Sequence, residues 1–293
     1  MNKTIFITGA TSGFGEACAR KFAAAGYRLI LTGRRKDRLD ALKHELESLA
    51  LPAPSASRVI PALPDHSAGA EDFVGPASPR PASSVPSEYI GRSRVLSLNF
   101  DVQDRAAVFA AVASLPPEWR KIDILINNAG LALGRDYFDE ASLEDWETMI
   151  DTNVKGLLYV SRAVLPLLIP SGDGHIINLG SVAGKEVYEK GNVYCGSKFA
   201  VDAISRSMRI DMLRHGIKVT AIHPGAAETE FSKVRFKGDE GQAKKIYEGY
   251  TPLSAEDVAD AIFYCASLPP HVCINDLVIT CKAQADAIYF YKG

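Results

Sequence analysis

Between residues 181 and 198 the chain reads S-V-A-G-K-E-V-Y-E-K-G-N-V-Y-C-G-S-K, and three of these side chains suit proton chemistry: Ser181, Tyr194 and Lys198. On a helix, four-residue spacing sets Tyr194 and Lys198 on one face, about 6 Å apart. An ammonium beside a phenol stabilises the phenolate and lowers its pKa from about 10. Such a tyrosine can exchange a proton with an alcohol. Tyrosine and lysine at this spacing also occur by chance on amphipathic helices, so the reading depends on what else the chain supplies.

The N-terminus supplies a phosphate site. T-G-A-T-S-G-F-G, residues 8–15, follows a short apolar run and opens a helical pattern. Gly9, Gly13 and Gly15 permit a tight turn and close backbone approach to a pyrophosphate at a helix N-terminus, with Thr11, Ser12 and Phe14 between them. The second apolar run ends in Gly33, Arg34 and Arg35, where a site for an unphosphorylated ribose would carry an acid. Gly33 leaves room, and Arg34 and Arg35 can clamp a 2′-phosphate. Two arginines at a helix start oppose its dipole, which an anionic ligand would offset. The cofactor expected is NADP(H).

Elements that position these residues alternate along the chain. Apolar runs at 4–8, 28–32, 95–100, 122–126, 175–179, 218–222 and 276–280 predict strands, mostly buried on both faces. Helical periodicity at 15–25, 38–49, 106–114, 146–168, 192–215 and 255–267 fills the gaps. The fold expected is α/β: a single Rossmann-like domain over 1–293, with about seven parallel strands and helices on both faces. One stretch, about 52–94, holds eight of the sixteen prolines and no sustained periodicity, and reads as a surface insertion.

Composition removes several function classes. A net charge of −2 gives no reason to expect nucleic acid or an anionic membrane as partner. Five cysteines without a C-x-x-C pair suggest free thiols in a reducing compartment. Neither a leader nor a bilayer-spanning apolar run is evident, so the cytoplasm is expected. The histidines lack metal-ligand spacing and read as surface or packing residues; no metal is expected.

Together the motifs resemble the short-chain dehydrogenase/reductase family over nearly the whole chain outside 52–94. Residues 8–15 look like its T-G-x-x-x-G-x-G loop, Asp101-Val102 like its adenine-contacting pair, and residues 127–130 like its N-N-A-G motif with Asn128, Ala129 and Gly130 at the cofactor. Asn153, in D-T-N-V-K-G, falls where the family keeps a catalytic asparagine. Ser181, thirteen residues before Tyr194, completes a tetrad with Lys198, while Pro224-Gly225 ahead of Thr229 matches the segment that holds the nicotinamide carboxamide. Within the family, T-S-G-F-G, G-R-R, D-W-E-T-M-I-D-T-N and E-T-E-F-S-K-V-R-F-K-G are similar to the NADP-dependent 3-hydroxy acid dehydrogenases.

The resemblance implies oxidation of a serine, allo-threonine or 3-hydroxyisobutyrate type substrate. Tyr194 would be the base, Lys198 would hold the nicotinamide ribose, Ser181 would bond the reacting oxygen, and Asn153 would support a water. It also implies a mobile lid over 231–250 and a homotetramer formed by the helices at 146–168 and 192–215. A hydroxy acid needs a cation for its carboxylate. Lys185, close to Ser181 in sequence, is the first candidate and Arg235 the second, although both residue types also occur as solvated surface charges. Two alternatives stand beside this reading: a reductase of neutral ketones or aldehydes, and a non-catalytic regulator that senses NADP(H).

Overall fold

The seven apolar runs form the strands of one parallel sheet in a computed structural model that describes residues 3–49 and 93–293. In chain order the elements are β1 (Thr4–Ile7), α1 (Gly13–Ala24), β2 (Arg28–Gly33), α2 (Lys36–Ser48), β3 (Val95–Asn99), α3 (Arg105–Ala113), β4 (Ile124–Asn127), α4 (Leu143–Ile150), α5 (Leu157–Leu168), β5 (His175–Leu179), α6 (Asn192–Met212), β6 (Lys218–Pro224), α7 (Glu230–Arg235), α8 (Glu240–Lys245), α9 (Ala255–Ser267) and β7 (Asp276–Ile279). Strand order is β3-β2-β1-β4-β5-β6-β7. The sequence reversal between β1 and β4 opens a crevice at the carboxyl ends of the strands, the usual ligand position in such sheets. Most of the expected 52–94 insertion, residues 52–92, lies outside the described residues.

Side-chain alternation explains why these strands read as unbroken apolar runs. Ile5 and Ile7 face one side of the sheet, against Phe22 of α1, Leu42 of α2 and Ile262 of α9. Phe6 faces the other, in one core with Val108 of α3 and Val160 and Val164 of α5. Both faces are therefore dry, as a doubly wound sheet requires. Local signals set several helix starts: Asp104 accepts from the Ala107 amide, and Ser254 forms a reciprocal capping box with Asp257.

The expected helix at 146–168 begins earlier and is not uniform. Leu143–Ile150 passes into a π-helical segment, Asp151–Gly156, before α5 continues. A π turn inserts one residue into the helical register and so changes which side chains face the sheet. The whole run Leu143–Ser171 is long and apolar enough to cross a membrane by length and composition, contrary to expectation. In the fold it packs against β4, α3 and α6. Val160, Val164 and Leu168 on this run are buried in the core under the sheet.

Candidate active site

The crevice opens into a cavity of about 1340 Å³. All the residues expected at the cofactor line it except Gly15, and so do Ser181, Tyr194, Lys198 and Arg235. Gly9 and Gly13 take φ of +65° and +53°, the left-handed conformation that favours glycine. Gly15 sits beneath the loop, where a side chain would run into the Gly9 carbonyl oxygen and the Asn128 amide. The loop is thus fixed from below and leaves its backbone facing the cavity at the start of α1, a cradle shaped for phosphate.

Asn128 and Thr8 brace that cradle. The Asn128 amide donates to the carbonyls of Thr8 (2.9 Å) and Gly9 (3.1 Å), while the Thr8 hydroxyl accepts from the backbone amides of Asn128 and Ala129, each at 2.9 Å. At the far end Arg35 lies against Thr11, with Nη2 3.1 Å from both its carbonyl and its hydroxyl oxygen. Its other arm pairs with Glu230 at 2.8 Å, and Glu230 also holds Arg38 at 2.6 Å. Burial pushes the Glu230 carboxyl up, but the hydrogen bonds from Arg38 and Arg35 outweigh it and hold the group below its usual range. Arg34 is more exposed and reaches Asp101 at 3.4 Å. A guanidinium pair beside a side-chain-free Gly33 fits a 2′-phosphate on the ribose, so the residues present suit a phosphorylated dinucleotide.

Three elements bring the expected tetrad together. Ser181 follows β5 and caps a short 3₁₀ turn, Val182–Gly184; its hydroxyl accepts from Ala183 (3.1 Å), donates to the Pro224 carbonyl (3.5 Å) and stands beside the Tyr194 phenol. Tyr194 and Lys198 share one face of α6, and the Lys198 ammonium donates to the Leu179 carbonyl at 2.9 Å. Asn153 lies in the π-helical segment and is clamped by Leu131: Oδ1 accepts from its amide and Nδ2 donates to its carbonyl, both at 2.8 Å. Asn153 and Lys198 both approach Gly130, where a Cβ would meet Asn153 Oδ1 at 3.2 Å and Lys198 Nζ at 3.4 Å.

Electrostatics differ from the sequence expectation. Burial, then the neighbouring Tyr188, pushes the Tyr194 phenol up; the Ser181 hydroxyl and the Arg235 charge act the other way without overcoming it. Lys198 is itself driven down by burial, to about 8. The cation lying over the Tyr194 ring is the Arg235 guanidinium, with its carbon 5.4 Å from the ring centre. The phenol is therefore held protonated in this state, and lysine proximity alone does not depress it.

Lys185, the first candidate for a substrate cation, does not line the cavity. The 3₁₀ turn after Ser181 carries it away from the cavity to the back of the site, where its ammonium pairs with Asp202 of α6 at 2.9 Å and with Asp276 of β7. Arg235 takes the place expected for a substrate cation. It is buried, donates to the Tyr188 hydroxyl at 3.0 Å, and has no ion-pair partner among the described residues. Phe231, at the start of the expected lid, lines this end, as do Tyr188 and Arg135, which sequence reasoning did not single out. Tyr188 sits in the loop between Ser181 and Tyr194, where helical spacing gives no signal; Arg135 directly follows the run that starts at the N-N-A-G motif.

Comparison with known proteins follows the same lines. The family model described as short chain dehydrogenase matches residues 3–58 and 66–240. The chain belongs to the short-chain dehydrogenase family. This dehydrogenase is 44% identical over 284 residues to the NADP-dependent 3-hydroxy acid dehydrogenase YdfG of Salmonella typhi, covering 97% of this chain and 96% of that one. It is 42% identical over 286 residues to a sulfoacetaldehyde reductase of Chromohalobacter salexigens, with the same coverage of both chains. Among solved structures, the closed form of a serine dehydrogenase complexed with NADP+ superposes with a TM-score of 0.79 at 42% identity, over 97% of each chain. All five cysteines of the dehydrogenase are free thiols, four of them buried.

Proposed function

We propose that this dehydrogenase interconverts the hydroxyl and carbonyl of a small 3-hydroxy acid with NADP(H), on substrates of the serine, allo-threonine or 3-hydroxyisobutyrate type. The observation that carries the reading is the position of Arg235. Its unpaired guanidinium lies over the Tyr194 ring, so a carboxylate held there leaves a nearby hydroxyl within reach of Tyr194 and Ser181. The 44%-identical YdfG and the serine dehydrogenase with NADP+ support both substrate class and cofactor.

Gly9, Gly13 and the start of α1 would hold the pyrophosphate, Arg34 and Arg35 the 2′-phosphate, Asp101 and Val102 the adenine side, and Pro224, Gly225 and Thr229 the nicotinamide side. When bound, NADP(H) accepts or supplies the hydride. Tyr194 takes the proton from the substrate hydroxyl in oxidation and returns it to the carbonyl oxygen in reduction. Ser181 hydrogen-bonds that oxygen and orients it against the phenol. Lys198 places a positive charge behind the site and binds the ribose, while Asn153 fixes the Leu131 segment beside it. Segment 231–250, containing α7 and α8, closes over the substrate, with Phe231 against Tyr194 at a ring-centre distance of 5.6 Å.

The protein acts in the cytoplasm as a homotetramer. Leu158 on α5 and Phe199 and Ile210 on α6 expose apolar surface on the helices the family uses for assembly. Light scattering after gel filtration tests the assembly, and a monomer mass rejects it.

A second reading has its own support. Burial keeps Tyr194 protonated, the form that donates to a carbonyl, and Arg235 would seat a sulfonate as readily as a carboxylate. The sulfoacetaldehyde reductase relative fits reduction of a short anionic aldehyde. Rates with L-serine, 3-hydroxyisobutyrate, sulfoacetaldehyde and a neutral secondary alcohol, each with the phosphorylated and unphosphorylated cofactor, decide between them. Preference for the neutral alcohol rejects the anion site, and no turnover of any substrate favours a non-catalytic sensor.

A further inference from the structure

Behind Ser181 lies a half-buried ion cluster that the reaction described above does not use. His223, the last residue of β6 before Pro224, is fully buried. Its Nδ1 is 3.2 Å from the Ser181 carbonyl oxygen, and its ring fills the space that a side chain at Gly180 would need. On the other edge, Nε2 faces Asp202 Oδ1 at 3.6 Å and Asp276 Oδ1 at 3.5 Å and has no hydrogen-bond partner. The Lys185 ammonium bridges the two carboxylates, and Arg206 pairs with Asp202 at 2.8 Å. Five charged or titratable groups from four elements thus meet at one point: Lys185 after β5, Asp202 and Arg206 on α6, His223 on β6 and Asp276 on β7.

The tautomer follows from the partners. A carbonyl only accepts, so His223 Nδ1 must carry hydrogen to bond Ser181. Two carboxylates near Nε2 favour a second proton there; burial and the Lys185 ammonium oppose it, and the ring is pushed below its usual pKa. The neutral Nδ1–H ring is the result, with Lys185 balancing the carboxylates.

We infer that His223 is a positioning residue: by donating from Nδ1 to the Ser181 carbonyl it fixes the serine that stands beside Tyr194, while the Lys185–Asp202–Asp276 cluster packs against the other edge of its ring. The same residue adjoins Pro224, whose carbonyl accepts from the Ser181 hydroxyl, so the end of β6 meets both the carbonyl and the hydroxyl of the serine. This assignment rests on reading Ser181 as the contact to the reacting oxygen.

Three measurements test it. Nitrogen NMR of the histidines in the free protein, which needs no turnover, is expected to show His223 protonated on Nδ1 and bare on Nε2 at neutral pH; a ring protonated only on Nε2 overturns the inference. His223→Leu is expected to lose at least about tenfold in kcat with the NADP(H) KM within about twofold, and His223→Asn, whose amide reaches the same carbonyl, to recover most of that loss. Wild-type kcat in the leucine variant, or an asparagine variant as slow as leucine, overturns it. If His223→Leu does not fold, the NMR of the wild-type protein still decides the inference. His223 Nε2 and one oxygen each of Asp202 and Asp276 lie within 4.8 Å of one another, a spacing that a metal ion also suits. Chelator treatment is expected to leave kcat unchanged, because Lys185 already fills that role; loss on chelation with recovery on added zinc overturns the positioning assignment in favour of a metal site.

Discussion

The Arg235 guanidinium lies over the ring of Tyr194, 5.4 Å from its centre, and donates to the Tyr188 hydroxyl at 3.0 Å. This relationship joins the proposed acid–base residue to the proposed anion site through a single side chain. Arg235→Ala should raise KM for 3-hydroxy acids about 10- to 100-fold, the loss of a charged hydrogen bond worth roughly 1.5–3 kcal/mol. Neutral alcohols should lose much less. Arg235→Lys should not restore the acid substrates fully, since an ammonium cannot make the planar two-pronged contact. Equal losses for acidic and neutral substrates would show that Arg235 acts on packing alone.

Lys185→Ala serves as the contrast. Its ammonium is engaged with Asp202 and Asp276 away from the cavity. The hydroxy-acid KM should stay within about twofold of wild type, while stability falls because two carboxylates lose their shared cation. Substrate kinetics alongside urea unfolding separate the two effects, and a large KM increase would return Lys185 to the substrate site.

Much of this was legible in the sequence because it is local. Glycine spacing, the Tyr194–Lys198 interval and seven apolar runs each describe a few neighbouring residues, and the sheet keeps them near their expected bounds. What escaped was non-local or depended on a turn. Lys185 is four residues from Ser181, yet one 3₁₀ turn sends its side chain to α6 and β7. Glu230 meets Arg35 and Arg38 across roughly two-thirds of the chain. The π-helical turn that holds Asn153 lies inside a continuous helical pattern, and 3.6-residue periodicity cannot register one added residue. The Tyr194 phenol was expected to fall; burial, which no spacing reveals, raises it.

Arg35 and Glu230 should govern cofactor choice. Removing the guanidinium with Arg35→Ser should raise KM for NADP about 10- to 100-fold and leave NAD nearly unchanged. Glu230→Gln frees both Arg35 and Arg38 from a competing carboxylate, so it should tighten NADP(H) binding, most visibly at low salt. Fluorescence titration with NADPH and NADH reads both variants. Weaker NADPH binding in Glu230→Gln would mean that the carboxylate holds Arg35 in place for the phosphate instead of competing with it.

Tyr194→Phe should reduce turnover by about 10²- to 10⁴-fold while cofactor affinity stays near wild type. Because burial holds the wild-type phenol protonated, oxidation should accelerate as pH rises and reduction should not. Rates in both directions across pH 6 to 10 (roughly the range bracketing the phenol's approach to ionisation) give the test. An oxidation rate independent of pH across that range would remove Tyr194 as the base.

His175 should set part of the acid limit of stability. It is buried in β5, between β4 and β6, with Nε2 2.7 Å from the Thr220 hydroxyl oxygen. That hydroxyl donates to the Ile274 carbonyl, so it accepts from His175, and the ring is the Nε2–H tautomer with Nδ1 buried and unpartnered. Burial first, then the Lys218 charge, lowers its pKa from 6.5 to about 3. In the unfolded chain the ring takes up a proton near 6.5, while the folded ring does not until about 3, so the unfolded state binds more protons in between. The histidine's contribution is fully present above 6.5 and is lost as pH falls toward 3, on the order of 5 kcal/mol over the window. Carboxylates steepen acid unfolding as well, so the informative quantity is the difference from a variant. His175→Val, which suits a buried strand, should flatten the fall in urea-unfolding free energy between pH 6.5 and 4 relative to wild type, whereas parallel curves would place the acid sensitivity elsewhere.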